Sequence, residues 1–155
     1  GYIKLKVWVE ARSSSKKLPP DDMALCCFLD KRDKRRQSVR FHGSAGLDCD
    51  MVSRGYGRAS CCELNGTEST PWHPVPLLNK RTLLKEGDIV PLEIAFCPSS
   101  TFYAAGERLV LLISAVDIVH ALIFKKDTSF NGGRHVIHFG GMYDSHLLIP
   151  KIVKE

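Results

Sequence analysis

The chain reads Val90-Pro91-Leu92-Glu93-Ile94-Ala95-Phe96 and, after a Pro-Ser-Ser-Thr corner and an Ala-Gly-Glu-Arg turn, Leu109-Val110-Leu111-Leu112-Ile113-Ser114-Ala115-Val116. In the first run apolar residues alternate with others, as a half-buried β-strand requires. The second run is apolar on both faces, which predicts a strand at the centre of a sandwich. Two strands of these kinds, separated by a corner and a turn, predict a β-sandwich.

The same alternation recurs along the chain. Residues 2–11 place Ile3, Leu5, Val7 and Val9 on one face, so they predict the first strand. Further short strands are predicted at 24–29, 39–41, 134–139 and 145–150, and a segment in which Tyr56, Arg58 and Ser60 share a face. About eight short strands without a convincing long helix are typical of an antiparallel sandwich.

The size of the chain fits one domain. Its 155 residues, 44% of them hydrophobic, are enough to bury about 70% of the unfolded surface. The sequence opens inside its first strand and lacks an initiator Met, so we expect residues 1–155 to be a single sandwich domain excised from a larger protein. No apolar run is long enough to span a bilayer, and we expect no membrane partner.

Six cysteines bear on the cellular compartment: Cys26, Cys27, Cys49, Cys61, Cys62 and Cys97. Adjacent cysteines on a strand point to opposite faces and do not form an unstrained bridge with each other. The sequence has no C-x-x-C motif of the kind that binds zinc. We therefore expect most of them to be buried small hydrophobic residues in a reducing compartment, which places the protein inside the cell, in the cytoplasm.

A basic cluster, Lys31-Arg32-Asp33-Lys34-Arg35-Arg36, contributes to the net charge of +5. It has two interpretations: a phosphate- or nucleic-acid-binding patch, or a solvated loop between strands. No aromatic residue interleaves with the basic ones, and Asp33 lies among them. The loop is the favoured interpretation, and we expect no nucleic-acid partner.

The motif of a serine nucleophile is missing. A nucleophile elbow requires Gly-x-Ser-x-Gly, and the nearest segment, His42-Gly43-Ser44-Ala45-Gly46, has His at the first position. We interpret it as a connecting loop. Asp117, at the end of an apolar strand, is expected to accept backbone N–H bonds at a corner. No catalytic residue is predicted in this chain.

Metal and cofactor sites are not predicted either. His135 and His138 would lie on opposite faces of a strand, whereas zinc ligands converge from one side. The acidic residues Asp21, Asp22, Asp48 and Asp50 are not followed by a calcium-binding loop with a closing Glu. We therefore expect neither a metal ion nor a cofactor.

Several segments, in order, resemble the C-terminal domain of the X-Pro dipeptidyl-peptidase and cocaine-esterase (CocE/NonD) family of serine hydrolases. The most specific segment is Pro98-Ser99-Ser100-Thr101 with Gly106-Glu107-Arg108-Leu109. The others are Leu-Lys-Val-Trp-Val-Glu-Ala at 5–11 with Asp-Asp-Met at 21–23, Gly-Arg-Ala-Ser at 57–60 with Glu-Leu at 63–64, Ser-Thr-Pro-Trp at 69–72, residues 87–92, and residues 138–150. Together they cover nearly the whole chain.

The resemblance implies an all-β, antiparallel jelly-roll sandwich of the galactose-binding-like type. In that family the sandwich packs on an α/β-hydrolase domain with a helical cap, and the catalytic Ser, Asp and His lie upstream. None of the three maps onto this sequence. The parent would cleave acyl bonds, ester or X-Pro peptide, and the sandwich would help to wall its active site.

The partner implied by the resemblance is therefore the hydrolase domain of the parent. We predict Tyr56, Arg58, Trp72 and Tyr103 as residues of that interface or of a pocket wall. An apolar hydrolase-facing side would also make the isolated domain prone to self-association, so a homo-oligomer stays open.

A second function remains open alongside the accessory domain. Jelly rolls of this type also occur as stand-alone modules that bind carbohydrate or another ligand through exposed aromatic residues in end loops. The candidates for such a site are Trp72, Tyr103 and Tyr143.

Overall fold

The computed structural model describes residues 1–13, 22–41, 50–118 and 133–152. Within these ranges the chain forms seven strands: β1 (Lys4–Arg12), β2 (Ala24–Arg32), β3 (Ser53–Arg58), β4 (Ile89–Ala95), β5 (Arg108–Ser114), β6 (Arg134–His138) and β7 (His146–Leu148). One turn of 3-10 helix, Ala59–Cys61, follows β3 directly. No helix in these ranges is both long enough and apolar enough to cross a membrane.

The strands form two antiparallel sheets. The first has the order β4-β1-β6, and β7 pairs with the beginning of β1, beside β6. The second has the order β3-β2-β5. Strands of alternating character on two facing sheets confirm the prediction of an all-β, jelly-roll sandwich.

The core lies between the sheets and is built by period-two alternation. From β1 it takes Leu5, Val7, Val9 and Ala11, from β2 Leu25, Cys27 and Leu29, and from β4 Leu92 and Ile94. Each large apolar side chain buried in this way contributes roughly 1.5–3 kcal/mol relative to an exposed one. The register sets Val7 of β1 opposite Leu92 of β4, so both point into the core.

The position of β5 differs from the prediction. In the described part of the chain β5 pairs with β2 alone, so β2 is the central strand of its sheet and β5 lies at an edge. Residues from Leu109 to Ser114 are all half-buried. A run that is apolar on both faces indicates that both faces are partly covered, but it does not show that both strand edges are paired.

Three strand boundaries also differ from the prediction. Strand β2 extends to Arg32 and so includes the first two residues of the basic cluster. No strand forms at 39–41, where Phe41 makes only an isolated bridge to Asp50. Strand β3 ends at Arg58, and Ser60 lies in the helical turn because its N–H binds the buried Asp22 carboxylate.

The rest of the basic cluster forms a turn. The Asp33 carboxylate accepts hydrogen bonds from the backbone N–H groups of Arg35 and Gln37, each at 2.8 Å. Lys31 Nζ lies 2.8 Å from Glu107 Oε2, and Arg32 Nε lies 2.5 Å from Asp30 Oδ2. Carboxylates therefore balance two of the cations, which supports the interpretation of this cluster as a surface turn.

The five described cysteines are free thiols, but they are less buried than predicted. Cys27 is buried, Cys26, Cys61 and Cys62 are half-buried, and Cys97 is exposed. The exposure of Cys97 follows from its position just after β4, where the chain leaves the sheet. Cys49 lies outside the described residues.

Thiol reactivity is expected to follow this burial. Burial, and then the neighbouring Cys26 thiol, raises the pKa of Cys27 to about 12, so almost none of it is thiolate at pH 8. Of the described cysteines, Cys97 should therefore be modified first by a disulfide reagent in the native protein, and Cys27 should stay unmodified until the chain unfolds. Peptide mass mapping checks the order, and in a Cys49→Ser background Cys97→Ser should abolish the fast phase that Cys27→Ser leaves intact. Fast native labelling of Cys27 would contradict this expectation.

Candidate functional site

A serine and a histidine, the residue types that serine hydrolysis requires, lie close together in the described residues, but both make structural contacts. Ser145 lies beside His138, but its Oγ donates to the His138 carbonyl oxygen at 2.6 Å and accepts the Trp8 N–H at 3.0 Å. The His138 ring instead places Nε2 2.8 Å from Glu10 Oε2. Residues 42–46, the nearest match to a nucleophile elbow, lie outside the described residues.

Glu10 is the buried carboxylate of this cluster, and it links β1 to β6. It lies 2.7 Å from Arg12 Nε as well as 2.8 Å from His138 Nε2. The hydrogen bond from Arg12 lowers the pKa of Glu10, burial opposes this, and His138 adds to the lowering. A carboxylate held ionised by two such partners stabilises the pairing of the strands. Across the described ranges, no three His, Cys, Asp or Glu residues are placed to share a metal ion.

The surface feature that stands out is an apolar end of the sandwich around Gly1, which we call the terminal face. Three depressions of about 310, 410 and 580 Å³ lie there. Pro150 lines all three, Gly1 lines two and Ile149 lines two, so the depressions are adjacent. We define the terminal face by the residues Gly1, Tyr2, Trp72, Ser99, Thr101, Phe102, Tyr103, Leu148, Ile149, Pro150 and Ile152.

Backbone contacts at Gly1 hold this face together. The N-terminal amine donates to Ser99 O, and Ser99 N–H donates to Gly1 O at 3.1 Å. A Cβ at Gly1 would lie 2.7 Å from Pro150 Cγ, so a side chain at this position would displace Pro150. The Pro98–Thr101 corner is therefore hydrogen-bonded to Gly1, and Gly1 in turn packs against Pro150.

Two of the four predicted interface residues lie on the terminal face. Trp72 is 52% exposed in the loop after β3, and its neighbour His73 packs edge-on against Tyr2 with ring centroids 5.4 Å apart. Tyr103 lines two of the depressions, and Lys31 Nζ lies 5.5 Å from its ring centroid. Burial, and then the charges of Asp30 and Glu107, raises the pKa of Tyr103, so the phenol stays protonated.

The other two predicted residues line a separate groove. Tyr56 and Arg58, on the same face of β3, border a depression of about 420 Å³ together with Leu78 and Cys61. Tyr56 donates its hydroxyl to Asp117 Oδ2 at 3.0 Å, and Arg58 Nε lies 2.6 Å from Asp22 Oδ2. Asp117 thus accepts a side-chain bond that the sequence did not predict. The structure brings the four residues together as two pairs and not as one site.

Most residues of the terminal face were not predicted as interface residues from the sequence. Phe102 is 77% exposed, Ile152 is 93% exposed and Ile149 is about half exposed. Residues 145–150 were predicted as a strand, but β7 covers only three of them, so Ile149 lies beyond its end. The sequence did contain one signal for this surface, because Ile149 and Ile152 follow β7. A segment that is exposed to solvent usually carries polar residues at such positions.

Comparisons with known proteins point in one direction. The model of the X-Pro dipeptidyl-peptidase C-terminal non-catalytic domain matches residues 1–148. Two crystal structures of a CocE/NonD family hydrolase from Staphylococcus aureus match 95% of this chain, at TM-scores of 0.83 and 0.81 and at 31% and 30% identity. No curated protein sequence matches.

The chain spans only 27% of the length of that hydrolase. The match to the family model covers more than half of this chain, and the expected resemblance is thereby confirmed. The chain belongs to the family of X-Pro dipeptidyl-peptidase C-terminal non-catalytic domains.

Proposed function

We propose that this chain is the accessory domain of a longer serine hydrolase that cleaves acyl ester or X-Pro peptide bonds. In this role it packs on the hydrolase domain and helps to wall the active site, and the nucleophile lies elsewhere in the polypeptide. The observation that carries the proposal is the match of residues 1–148 to a domain described as non-catalytic.

The likeness to the Staphylococcus aureus protein supports the hydrolase part of the proposal. That protein is described as a CocE/NonD family hydrolase, and this chain matches about a quarter of it. Bond cleavage by a serine acyl-enzyme needs a nucleophile, a general base and a group that orients the base. The neighbouring Ser145, His138 and Glu10 are engaged in strand contacts, so these three residues are not arranged as a nucleophile, a base and a group that orients the base.

The carbohydrate-binding alternative receives no specific support from the geometry. Tyr143 packs between Trp8 and His138, at centroid distances of 5.6 and 4.9 Å, on the outer side of the first sheet. It is not among the residues of the terminal face, where Trp72 and Tyr103 lie. The three aromatic residues required by that hypothesis therefore do not form one platform.

The isolated 155-residue chain is expected to give no turnover on p-nitrophenyl esters or on X-Pro-linked chromogenic peptides. The longer protein that contains it should hydrolyse one of these classes, and a serine-directed phosphonate should abolish the activity. Side-by-side assays at equal molar concentration check this. Turnover by the isolated chain that the phosphonate abolishes would refute the accessory role.

A further inference from the structure

The terminal face combines exposed apolar side chains with both ends of the described chain. Trp72, Phe102 and Ile149 are about half exposed or more, and all three border its depressions. Gly1 lines two of the depressions, and Ile152 lines one of them. Apolar side chains gathered around depressions in this way mark a surface that another part of a protein covers.

We propose that the terminal face is the docking surface for the hydrolase domain of the same polypeptide, with Trp72, Phe102, Ile149 and Ile152 as the contacting side chains. This inference rests on the proposed function, and it assigns the partner to one face of the sandwich. The groove at Tyr56 and Arg58 is then left outside the interface.

The position of Gly1 favours this partner over a second copy of the chain. The related hydrolase is nearly four times as long as the matched segment, so most of its polypeptide lies outside the region that this chain matches. In a longer protein, the residue before Gly1 leaves directly from the terminal face, because Gly1 is bonded to Ser99 and packed against Pro150. A domain attached there is tethered next to the apolar depressions at high effective concentration.

The depression at Trp72 is suited to apolar anchors. The 410 Å³ depression is walled by Tyr2, Trp72, Leu148, Ile149 and Pro150, without a charged side chain among its lining residues. Interfaces of this kind gain most of their binding energy from a few aromatic or aliphatic side chains seated in such pockets. We therefore expect the hydrolase domain to present apolar side chains to this depression.

Hydroxyl-radical footprinting of the longer protein and of the isolated chain tests the docking surface. Oxidation of Trp72 should be about fivefold slower in the longer protein, the ratio expected when a side chain that is 52% exposed becomes roughly nine-tenths buried. Phe102 should be protected in the same way. Phe139 and Met142, which are 79% and 81% exposed and lie outside the face, should react equally in both.

A matched pair of variants tests the same point without the isolated chain. In the longer protein, Ile149→Asp combined with Ile152→Asp should restore the oxidation of Trp72 to a rate about fivefold higher, because charges oppose the apolar contact. Phe139→Asp combined with Met142→Asp carries the same charge outside the face and should leave that rate unchanged. All four side chains are at least half exposed, so none is needed for the core.

The two claims can fail separately, because turnover is measured on the same samples. Serine-dependent turnover with an unprotected Trp72, or with protection only at Tyr56, overturns the docking surface and leaves the proposed function intact. Protection that disappears on dilution assigns the face to a second copy and also overturns it. A longer protein without such turnover overturns both claims.

Discussion

Gly55→Ala is expected to lower the free energy of unfolding by about 3 kcal/mol, the upper part of the range for overpacking a core. Gly55 lies in β3 opposite Cys27 of β2, and the other sheet approaches its Cα closely. A Cβ at this position would lie 2.7 Å from the carbonyl oxygen of Ala95 and 2.8 Å from Ile94 Cγ2. The backbone of β4 cannot yield as a flexible side chain can, so the two sheets would have to separate locally.

Alanine substitutions at two further glycines should give smaller losses of stability. A Cβ at Gly57 would meet Ile94 Cγ1 at 2.6 Å, which is a side-chain atom, so Gly57→Ala should cost less than Gly55→Ala. Gly66 has open space around its Cα and lies in an exposed turn, so Gly66→Ala should change the stability by less than about 0.5 kcal/mol. Urea denaturation of the three variants gives the order. Equal stabilities for the Gly55 and Gly66 variants would show that the sheets are not in this contact.

The strands that follow period two were predictable from the sequence because burial imposes that period directly. Leu5, Val7 and Val9 point into the core as predicted, and so do Leu92 and Ile94. At the turn before β4, Gly87 adopts a φ of 85°, a backbone conformation that favours glycine. These features depend on residues close together in the sequence.

Features that depend on contacts between distant segments were not predictable in the same way. The close approach of Gly55 and Gly57 to Ile94 depends on how the two sheets stack, which residues close together in the sequence do not report. Among the described strands, the position of β5 at the edge of its sheet depends on strand order, which alternation does not report.

The terminal face illustrates the same limit for the candidate site. Trp72 and Tyr103 were predicted as interface residues, but they lie 31 positions apart in the sequence and come together with Ile149 only through the contacts of Gly1 with Ser99 and Pro150. A sequence pattern identifies an exposed aromatic residue. It does not show which distant residues share its surface.

Asp22→Ala is expected to destabilise the chain by about 3–5 kcal/mol, the cost of breaking a buried and hydrogen-bonded charge pair. Asp22 is only 2% exposed, and its carboxylate connects the start of β2 to two other segments. It accepts the backbone N–H groups of Met23 and Ser60 at 2.8 and 3.0 Å. It also lies 2.6 Å from Arg58 Nε and 3.1 Å from Arg81 Nη2.

Asp22→Asn separates the charge from the hydrogen bonds. The amide oxygen keeps an acceptor for the two backbone N–H groups, so this variant should be less destabilised than Asp22→Ala. Glu63→Ala is the matched control, because it removes an ion pair to Lys80 whose two side chains are more than half exposed. Its free energy of unfolding should barely change. Urea denaturation of all three variants at pH 7 gives the comparison.

Lowering the pH should remove the contribution of the Asp22 charge to the free energy of unfolding. Burial raises the pKa of Asp22, but the hydrogen bonds from Ser60 and Met23 and the charge of Arg58 outweigh it, so the pKa is lowered in the folded state. The carboxylate therefore stabilises the fold fully above the unfolded pKa of about 4, and this contribution is lost as pH falls through the folded value. The difference in stability between wild type and Asp22→Asn should be constant from pH 7 to about 5 and shrink below about 4. A difference that stays the same down to about pH 2 would show that folding does not lower the pKa of Asp22.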